Sequence, residues 1–427
     1  MLEQWYHWIR GHHAIELMTL MAGFMLLDGP RYAVARVIVL TIDVTGHAWR
    51  TLNGTLRTRF THCPSLTVIV AGYNEGETIH GTLESLYGSY PRLELVVVDD
   101  GSTDNMSGVA NKFAETHEDV TVLARPHRGG KSSAMNFGLN YSRGEIIVCV
   151  DADSSLGPNA LWEIVQPFQD PRVGVVSASI LPRNPWDNLV TWMQSYEYMH
   201  SIVVGREVAR RLGVLAIASG AFAAIRREAM DRSGAWDVGP PEDFDLTLRV
   251  LRSGYRIEFT RFAQCFTDMP TTLWSLIKQR LRWEQGAVVR NYMRKHAGMF
   301  QFWKKNHSLS NAMVATEAFI TQFACPIALF FYSIYLAFTF SNDLLNVSLT
   351  IYVLAALFEL LQVCTLAYYS DNLRRDSLIC AVFPLMPFYQ IMMLGVRFVS
   401  NLQELFFRAS FQDNYVPQHV REATWKW

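Results

Sequence analysis

Apolar and polar positions follow two different rhythms along this chain. Between Ser65 and Thr272 the apolar runs are short and bounded by turn residues. Residues 66–70 and 93–98 read as buried parallel strands with a helix-like stretch, 78–87, between them. Residues 120–123, 145–150 and 173–179 fit further strands. Strand and helix in alternation predict a doubly wound, mostly parallel α/β sheet, in which ligands sit beyond the carboxyl ends of the strands.

After Asn311 the apolar runs lengthen. Residues 319–340, 347–369 and 378–399 are each a little over twenty residues long, enough to cross a hydrocarbon layer of about 30 Å. Three buried core helices are the alternative, but core helices rarely stay apolar all round for that length. At the N-terminus, residues 5–27 and 30–49 predict a hairpin broken at Asp28-Gly29-Pro30. Because Arg31, Arg36 and Asp43 fall in its second arm, one span plus an interfacial helix is the other reading. A secretory signal peptide is excluded, since no small-residue cleavage pattern ends the apolar run. The expected division is therefore N-terminal transmembrane or interfacial helices (1–50), an α/β domain (65–272), amphipathic interface helices (273–311), three transmembrane helices (312–400) and a tail (401–427).

Composition sharpens this picture in one respect. Half of the 427 residues are hydrophobic and mean hydropathy is +0.08, an excess concentrated at the two ends of the chain. The formal net charge of −1 gives no basic face for nucleic acid. Six widely separated cysteines, none in a Cys-x-x-Cys pair, read as reduced packing residues. Arg50, Arg57, Arg59, Lys304, Lys305, Arg374 and Arg375 flank the apolar segments on one side, whereas residues 341–346 carry no Lys or Arg. The positive-inside rule then places the α/β domain in the cytoplasm. The tail after Asn401 would lie outside or along the membrane, although Arg408, Arg421 and Lys426 sit awkwardly there. Glu359 and Gln362, within a span, must face protein or water; a polymer path and helix packing both fit them.

Candidate chemistry gathers at the strand ends. Asp99-Asp100-Gly101-Ser102 follows a strand, where a carboxylate can accept the imide N–H of a uracil or simply form a turn. Glu75, in Ala71-Gly72-Tyr73-Asn74-Glu75, could reach a nucleotide ribose or start the next helix. Asp151-Ala152-Asp153 places two carboxylates on one side of an extended chain, hard oxygen ligands suited to Mg²⁺ or Mn²⁺ bridging a diphosphate; a solvated turn is the plainer reading. Gly129-Gly130-Lys131 lacks the upstream glycine of a P-loop. Lys131 could still contact a diphosphate or sugar hydroxyls, with Asn136 on the same helix face, or merely begin a helix. Pro240-Pro241-Glu242-Asp243-Phe244-Asp245 opens a helix, so its acids either complement the helix dipole or supply a general base at Asp243. Gln279, Arg282 and Trp283 fall on a helix expected from Trp274 to about Met293. They offer an amide, a guanidinium and an indole for phosphate contact and sugar stacking, though generic interface helices look similar.

Taken in order, Asp99-Asp100, Asp151-x-Asp153, Glu242-Asp243 and Gln279-x-x-Arg282-Trp283, followed by apolar spans, resemble the processive family 2 glycosyltransferases. That group includes the cellulose, chitin, hyaluronan, chitooligosaccharide and poly-β-1,6-N-acetylglucosamine synthases. The resemblance covers roughly residues 65–369 and implies a GT-A-type domain inserted between transmembrane helices of a bacterial inner (plasma) membrane. By the same resemblance, Asp99 or Asp100 would hold uridine, and Asp151 and Asp153 would hold the diphosphate and an Mg²⁺ or Mn²⁺ ion. Glu75, Lys131, Gln279 and Arg282 would complete donor binding. Glu242 and Asp243 would be catalytic, with Asp243 deprotonating the acceptor, while Trp283 with the Ser219-Gly220 loop would face the acceptor sugar. The aromatic and cysteine usual before that loop are missing here. The implied partners are a UDP-sugar, a growing polysaccharide and the lipid bilayer, with room for a small membrane subunit. Transfer of one sugar to a polyprenyl phosphate and an inactive membrane scaffold are the alternatives.

Overall fold

The computed structural model describes residues 2–11, 28–52, 60–238, 241–303, 308–412 and 416–424. The expected first arm of the N-terminal hairpin falls largely on residues 12–27, and the basic pairs at Arg57/Arg59 and Lys304/Lys305 also lie outside the described residues.

One eight-stranded sheet organises the domain: β1 (Leu66–Gly72), β2 (Leu93–Asp99), β3 (Val120–Ala124), β4 (Ile146–Asp151), β5 (Ser155–Leu156), β6 (Val173–Pro182), β7 (Phe222–Arg226) and β8 (Arg256–Thr267), in the order β3-β2-β1-β4-β7-β6-β8-β5. Its β3-β2-β1-β4 half is parallel. In the other half β7 runs antiparallel to both β4 and β6, and β6 and β8 are again parallel, so the sheet is mixed. Near-continuous Val/Ile/Leu runs make the parallel half because both faces are covered: Val68, Val70, Val97 and Val148 pack on one side, and Ile69, Val96, Val98 and Ile147 on the other.

Register decides where the chemistry falls. Gly72 pairs with Asp99 and Ala71 with Asp151, so β1, β2 and β4 end side by side and present their following loops along one edge. β7 starts at that same edge, with Phe222 opposite Val150 and the Asp151 amide donating to the Ala221 carbonyl at 3.2 Å.

Three helical stretches among the described residues are long and apolar enough to cross a membrane: Leu309–Thr339, Leu344–Tyr369 and Leu373–Phe407. The N-terminal helix Asp28–Leu52 packs on Leu344–Tyr369 through the polar residues that made its sequence ambiguous. Arg36 is buried and donates to Gln362 and pairs with His200, while Asp43 accepts from the Tyr369 hydroxyl at 2.8 Å. Glu359 accepts from Tyr196 at 2.6 Å and from Gln390 at 2.5 Å, so Glu359 and Gln362 form a helix-packing network.

The third stretch touches the α/β domain near both ends. Trp192 Nε1 donates to the Ile379 carbonyl at 2.9 Å, and Arg294 pairs with Glu404 at 3.2 Å. Phe411 then lies under the Arg290 guanidinium at 5.0 Å. The start of the tail is thus held against the domain, because Glu404, Ser410 and Phe411 find their polar and cationic partners in residues 290–294 and within the tail itself.

Candidate active site

The loops after β1 and β2 are locked together before any ligand is considered. Asn74 adopts φ 59°, a conformation open to Asn through its short polar side chain, and its Oδ1 accepts from the Thr103 amide at 2.8 Å. Gly76 N donates to Asp104 at 2.8 Å. Glu75 accepts from the Thr78 hydroxyl at 2.9 Å, and its main-chain carbonyl accepts from Ile79 N at 2.9 Å, so this residue closes the turn that leads into the helix Ile79–Leu86. Its carboxyl is nevertheless pushed above the ordinary range, first by burial and further by Asp153 and Asp151, which places it among the acids of the site.

Asp99 and Asp100 are only 5% and 3% exposed, and both are engaged by the protein. Asp99 accepts from Ser102 N at 2.8 Å and from the Ser107 hydroxyl. Asp100 accepts from Gly129 N (2.9 Å), Gly130 N (2.6 Å) and Arg125 (2.8 Å). Burial raises the Asp100 carboxyl while those two amides oppose the rise. Asp100 thereby fixes the glycine pair that launches helix Lys131–Leu139 and aims Lys131 across the site. Asn136 does not share that role: its amide is spent on the Trp236 backbone at 2.7 and 3.0 Å.

Lys131 is the hub. Its ammonium contacts Asp151 and lies 4.0 Å from Glu242. Burial works against its charge, yet Asp151, Glu242 and Asp243 together hold it charged, above the ordinary lysine range. Glu242 and Asp243 open helix Glu242–Arg252. Burial pushes the Glu242 carboxyl up and Lys131 pulls it down. Asp243 is held by two amides, Gly220 N to Oδ2 at 2.8 Å and Phe244 N to Oδ1 at 2.7 Å. A Cβ at residue 220 would sit 3.2 Å from Lys131 Nζ and 3.3 Å from Asp243 Oδ2, so glycine keeps this corner open; Ser219 lies beside it, half-buried.

Asp153 is raised by burial first and by Asp151 second. Its backbone carbonyl accepts from Arg183 at 2.9 Å. Among the described residues no group of three or more His, Cys, Asp or Glu side chains surrounds one metal position. Two mutually repelling carboxylates nonetheless fit Mg²⁺ or Mn²⁺, which take one or two protein carboxylates and complete their shell with phosphate oxygens.

Gln279, Arg282 and Trp283 lie on helix Leu273–Glu284. This helix stops earlier than its sequence predicts because Gly286 takes φ 79°, after which Ala287–Lys295 is wound as a π-helix. Gln279 Oε1 is buried without a partner, an acceptor left over for a ligand. Trp283 stays 40% exposed.

Arg206, which carries no sequence signal, and Asp245, read only as one of the acids at the helix start, lie beside the site. Arg206 donates to Ser177 Oγ (2.8 Å) and the Ala178 carbonyl (3.0 Å). Burial lowers its guanidinium to about 10 although the Asp243 charge opposes this. Asp245, buried two residues past Asp243, ties the helix to the π-helical segment through His296 (2.8 Å), Lys295 (2.9 Å) and Arg249 (2.9 Å). Burial disfavours its charge, but these partners hold it far below the usual carboxylate range. A depressed folded-state pKa contributes stability above the unfolded value of about 3.9 that is lost as pH falls below it. Asp245→Asn should therefore melt earlier than the parent at pH 7, with the gap closing as melts are taken at pH values below about 4.

Comparison with known proteins adds three findings. Residues 67–234 match the family described as Glycosyl transferase family 2; Glu242, Asp243 and the Gln279–Trp283 motif lie beyond that match. Poly-beta-1,6-N-acetyl-D-glucosamine synthase of Staphylococcus aureus (strain COL) is 31% identical over 224 residues, 52% of this chain and 54% of that protein. The synthase of the same name from Staphylococcus epidermidis is 30% identical over the same shares. The chain spans about half the length of these curated relatives. The solved mannosyltransferase PcManGT from Pyrobaculum calidifontis, in complex with GDP-Man and Mn2+, superposes with a TM-score of 0.56 at 24% identity, covering 88% of this chain and 98% of that one. It matches in fold, a GT-A-like mixed sheet.

Proposed function

We propose that this chain, whose residues 67–234 match the family 2 glycosyltransferases, is a membrane-embedded inverting hexosyltransferase that polymerises sugars from a UDP-sugar, with UDP-N-acetylglucosamine favoured, into an exopolysaccharide. The observation that carries the reading is the convergence of Lys131, Asp151, Glu242, Asp243 and Gly220 at the carboxyl edge of the sheet. The 30–31% identity to two poly-N-acetylglucosamine synthases supports the polymer and the sugar.

Asp243, clamped by two amides, accepts the proton of the acceptor hydroxyl as it attacks the anomeric carbon. The bond to UDP breaks on the opposite face, so an α-linked donor gives a β-linked product. Lys131 is the cation facing the departing diphosphate, with Arg282 on the helix behind it. An Mg²⁺ or Mn²⁺ ion held by Asp151 and Asp153 would supply further charge neutralisation to the leaving UDP. Asp100 builds the floor under Lys131, and Asp99 and Glu75 line the nucleotide side. Gln279 offers its free carbonyl, and Trp283 offers an exposed indole on which an acceptor sugar stacks. The three apolar stretches seat the domain at the inner membrane, catalytic side in the cytoplasm, and export of the polymer through them follows from that placement.

Detergent-purified protein with Mg²⁺ or Mn²⁺ and either UDP-N-acetylglucosamine or UDP-glucose tests this directly, with UDP release followed and products sized by mass spectrometry. A ladder of oligomers from UDP-N-acetylglucosamine is expected. A lipid-linked monosaccharide as sole product would reject polymerisation, and absence of UDP release with either donor would reject the donor class.

A further inference from the structure

Arg280 lies inside the Gln279–Trp283 motif yet points away from the donor side. It is 8% exposed, and its Nη2 donates to Glu197 Oε2 at 2.6 Å. The same carboxylate oxygen accepts the Tyr389 hydroxyl at 2.6 Å. One helical turn on, the Trp283 ring lies 4.5 Å from the Arg280 guanidinium carbon, and the Tyr198 ring lies 5.5 Å from it. Three elements far apart in sequence thus meet on one cation: helix Leu189–Tyr198, helix Leu273–Glu284 and the apolar helix Met386–Phe407.

A guanidinium taken out of water is tolerated when a carboxylate pairs with it; here the pairing runs through Nη2, while Nε is buried without a hydrogen-bond partner. Glu197 supplies the charge and Tyr389 orients Glu197. The cation so fixed attracts the face of the indole. An exposed Trp without such support would sample several rotamers; this one has its plane set from below.

We propose that Arg280 is a positioning residue for the acceptor: held by Glu197 and Tyr389, it fixes the plane of the Trp283 indole on which the acceptor sugar stacks and registers that plane to the apolar helix Met386–Phe407. The inference rests on the synthase reading above. Further ties along the same helix pair keep the register. Arg397 pairs with Glu284 at 3.1 Å, Ser400 donates to the Leu281 carbonyl at 3.4 Å, and Gln285 donates to Gln403 at 3.1 Å. The acceptor platform is therefore tied directly to the apolar helix, whereas the nucleotide loops sit on the sheet edge.

The test is a double-mutant cycle on the full chain in detergent. Arg280→Lys, Glu197→Gln and Tyr389→Phe are each made alone and with Trp283→Ala. For each variant, KM for a soluble β-linked N-acetylglucosamine oligosaccharide acceptor, KM for the UDP-sugar, kcat and product length are measured. Arg280→Lys should raise the acceptor KM about threefold to tenfold and shorten the products, with the UDP-sugar KM unchanged. Tyr389→Phe, which removes one hydroxyl and leaves no cavity, should shift the acceptor KM in the same direction by less. In the Trp283→Ala background both effects should vanish, which a merely structural role would not produce. Where Arg280→Lys does not assemble, the Tyr389→Phe cycle decides. Equal effects in both backgrounds, or an unchanged acceptor KM, overturn the proposal while leaving the synthase reading intact. A wild-type enzyme that makes only lipid-linked monosaccharide sinks both.

Discussion

Asp243→Asn should lower kcat for sugar transfer by about 10²–10⁴-fold, the range expected when a positioned general base is removed, with the UDP-sugar KM little changed. The substitution is nearly isosteric, and the geometry says what it disturbs. One carboxylate oxygen accepts from Gly220 N at 2.8 Å and the other from Phe244 N at 2.7 Å. Asparagine can satisfy one of these amides with its carbonyl but turns an NH₂ group toward the other, a cost of about 1–3 kcal/mol if that donor is left buried and unpaired. A modest fall in melting temperature is therefore expected beside a large fall in turnover. UDP binding, followed by calorimetry, separates the two, since the proposed donor side consists of Lys131, Asp100 and the β1 and β2 loops. If Asp243→Asn keeps more than about a tenth of wild-type kcat, the base lies elsewhere. Glu242, whose carboxyl burial already pushes upward, is then the group to substitute next.

The half of this site that the chain announces in its sequence is the half built from local rules. β1, β2 and β4 are near-continuous apolar runs, each followed by a turn carrying an acid or an amide, and parallel pairing of such runs brings their ends level without further information. Gly72, Asp99 and Asp151 therefore meet as the periodicity predicts. In the mixed half β6 was legible, but β5, β7 and β8 were hidden for equally local reasons. Phe222–Arg226 is too short to show a period, β5 has two residues, and β8 interleaves Arg256, Glu258, Arg261 and Gln264 with its apolar positions, which blurs its alternation.

Contacts that depend on tertiary neighbours left no trace at all. Nothing near Lys131 indicates that Glu242 will stand 4.0 Å away, and nothing near Arg280 indicates Glu197 and Tyr389. Asn136 shows the converse: a residue whose helix face suggested ligand contact is committed to a backbone 100 positions on. The early end of helix Leu273–Glu284 was hidden in a torsion angle, since Gly286 could equally have continued a helix at a cost of about 1 kcal/mol. The apolar stretches were legible as lengths, but the way the third folds back on residues 284–294 depends on Arg397 and Glu404 finding partners, which no hydropathy scale records.

Asp153→Asn should move stability and function in opposite directions. Asp153 is raised by burial and then by Asp151, so without a cation its ionised form is unfavourable in the folded state. A carboxyl whose folded pKa lies above its unfolded value of about 3.9 subtracts stability at neutral pH, and that penalty is relieved as pH falls through the raised pKa toward the unfolded one. Metal-free wild-type protein should accordingly gain melting temperature on acidification from pH 7 into that window. Asp153→Asn should start higher at pH 7 and show a flatter profile. Adding Mn²⁺ with UDP reverses the ranking. Binding confined to the folded state stabilises by about 2.7 kcal/mol at a hundredfold excess over Kd, and the variant, left with Asp151 alone beside Lys131, should show little of this. Thermal melts with and without Mn²⁺ and UDP read the whole prediction independently of turnover. If Asp153→Asn retains the full Mn²⁺-dependent shift, the ion is held without this carboxylate, and the pairing of Asp151 with Asp153 is not what prepares the site for a diphosphate.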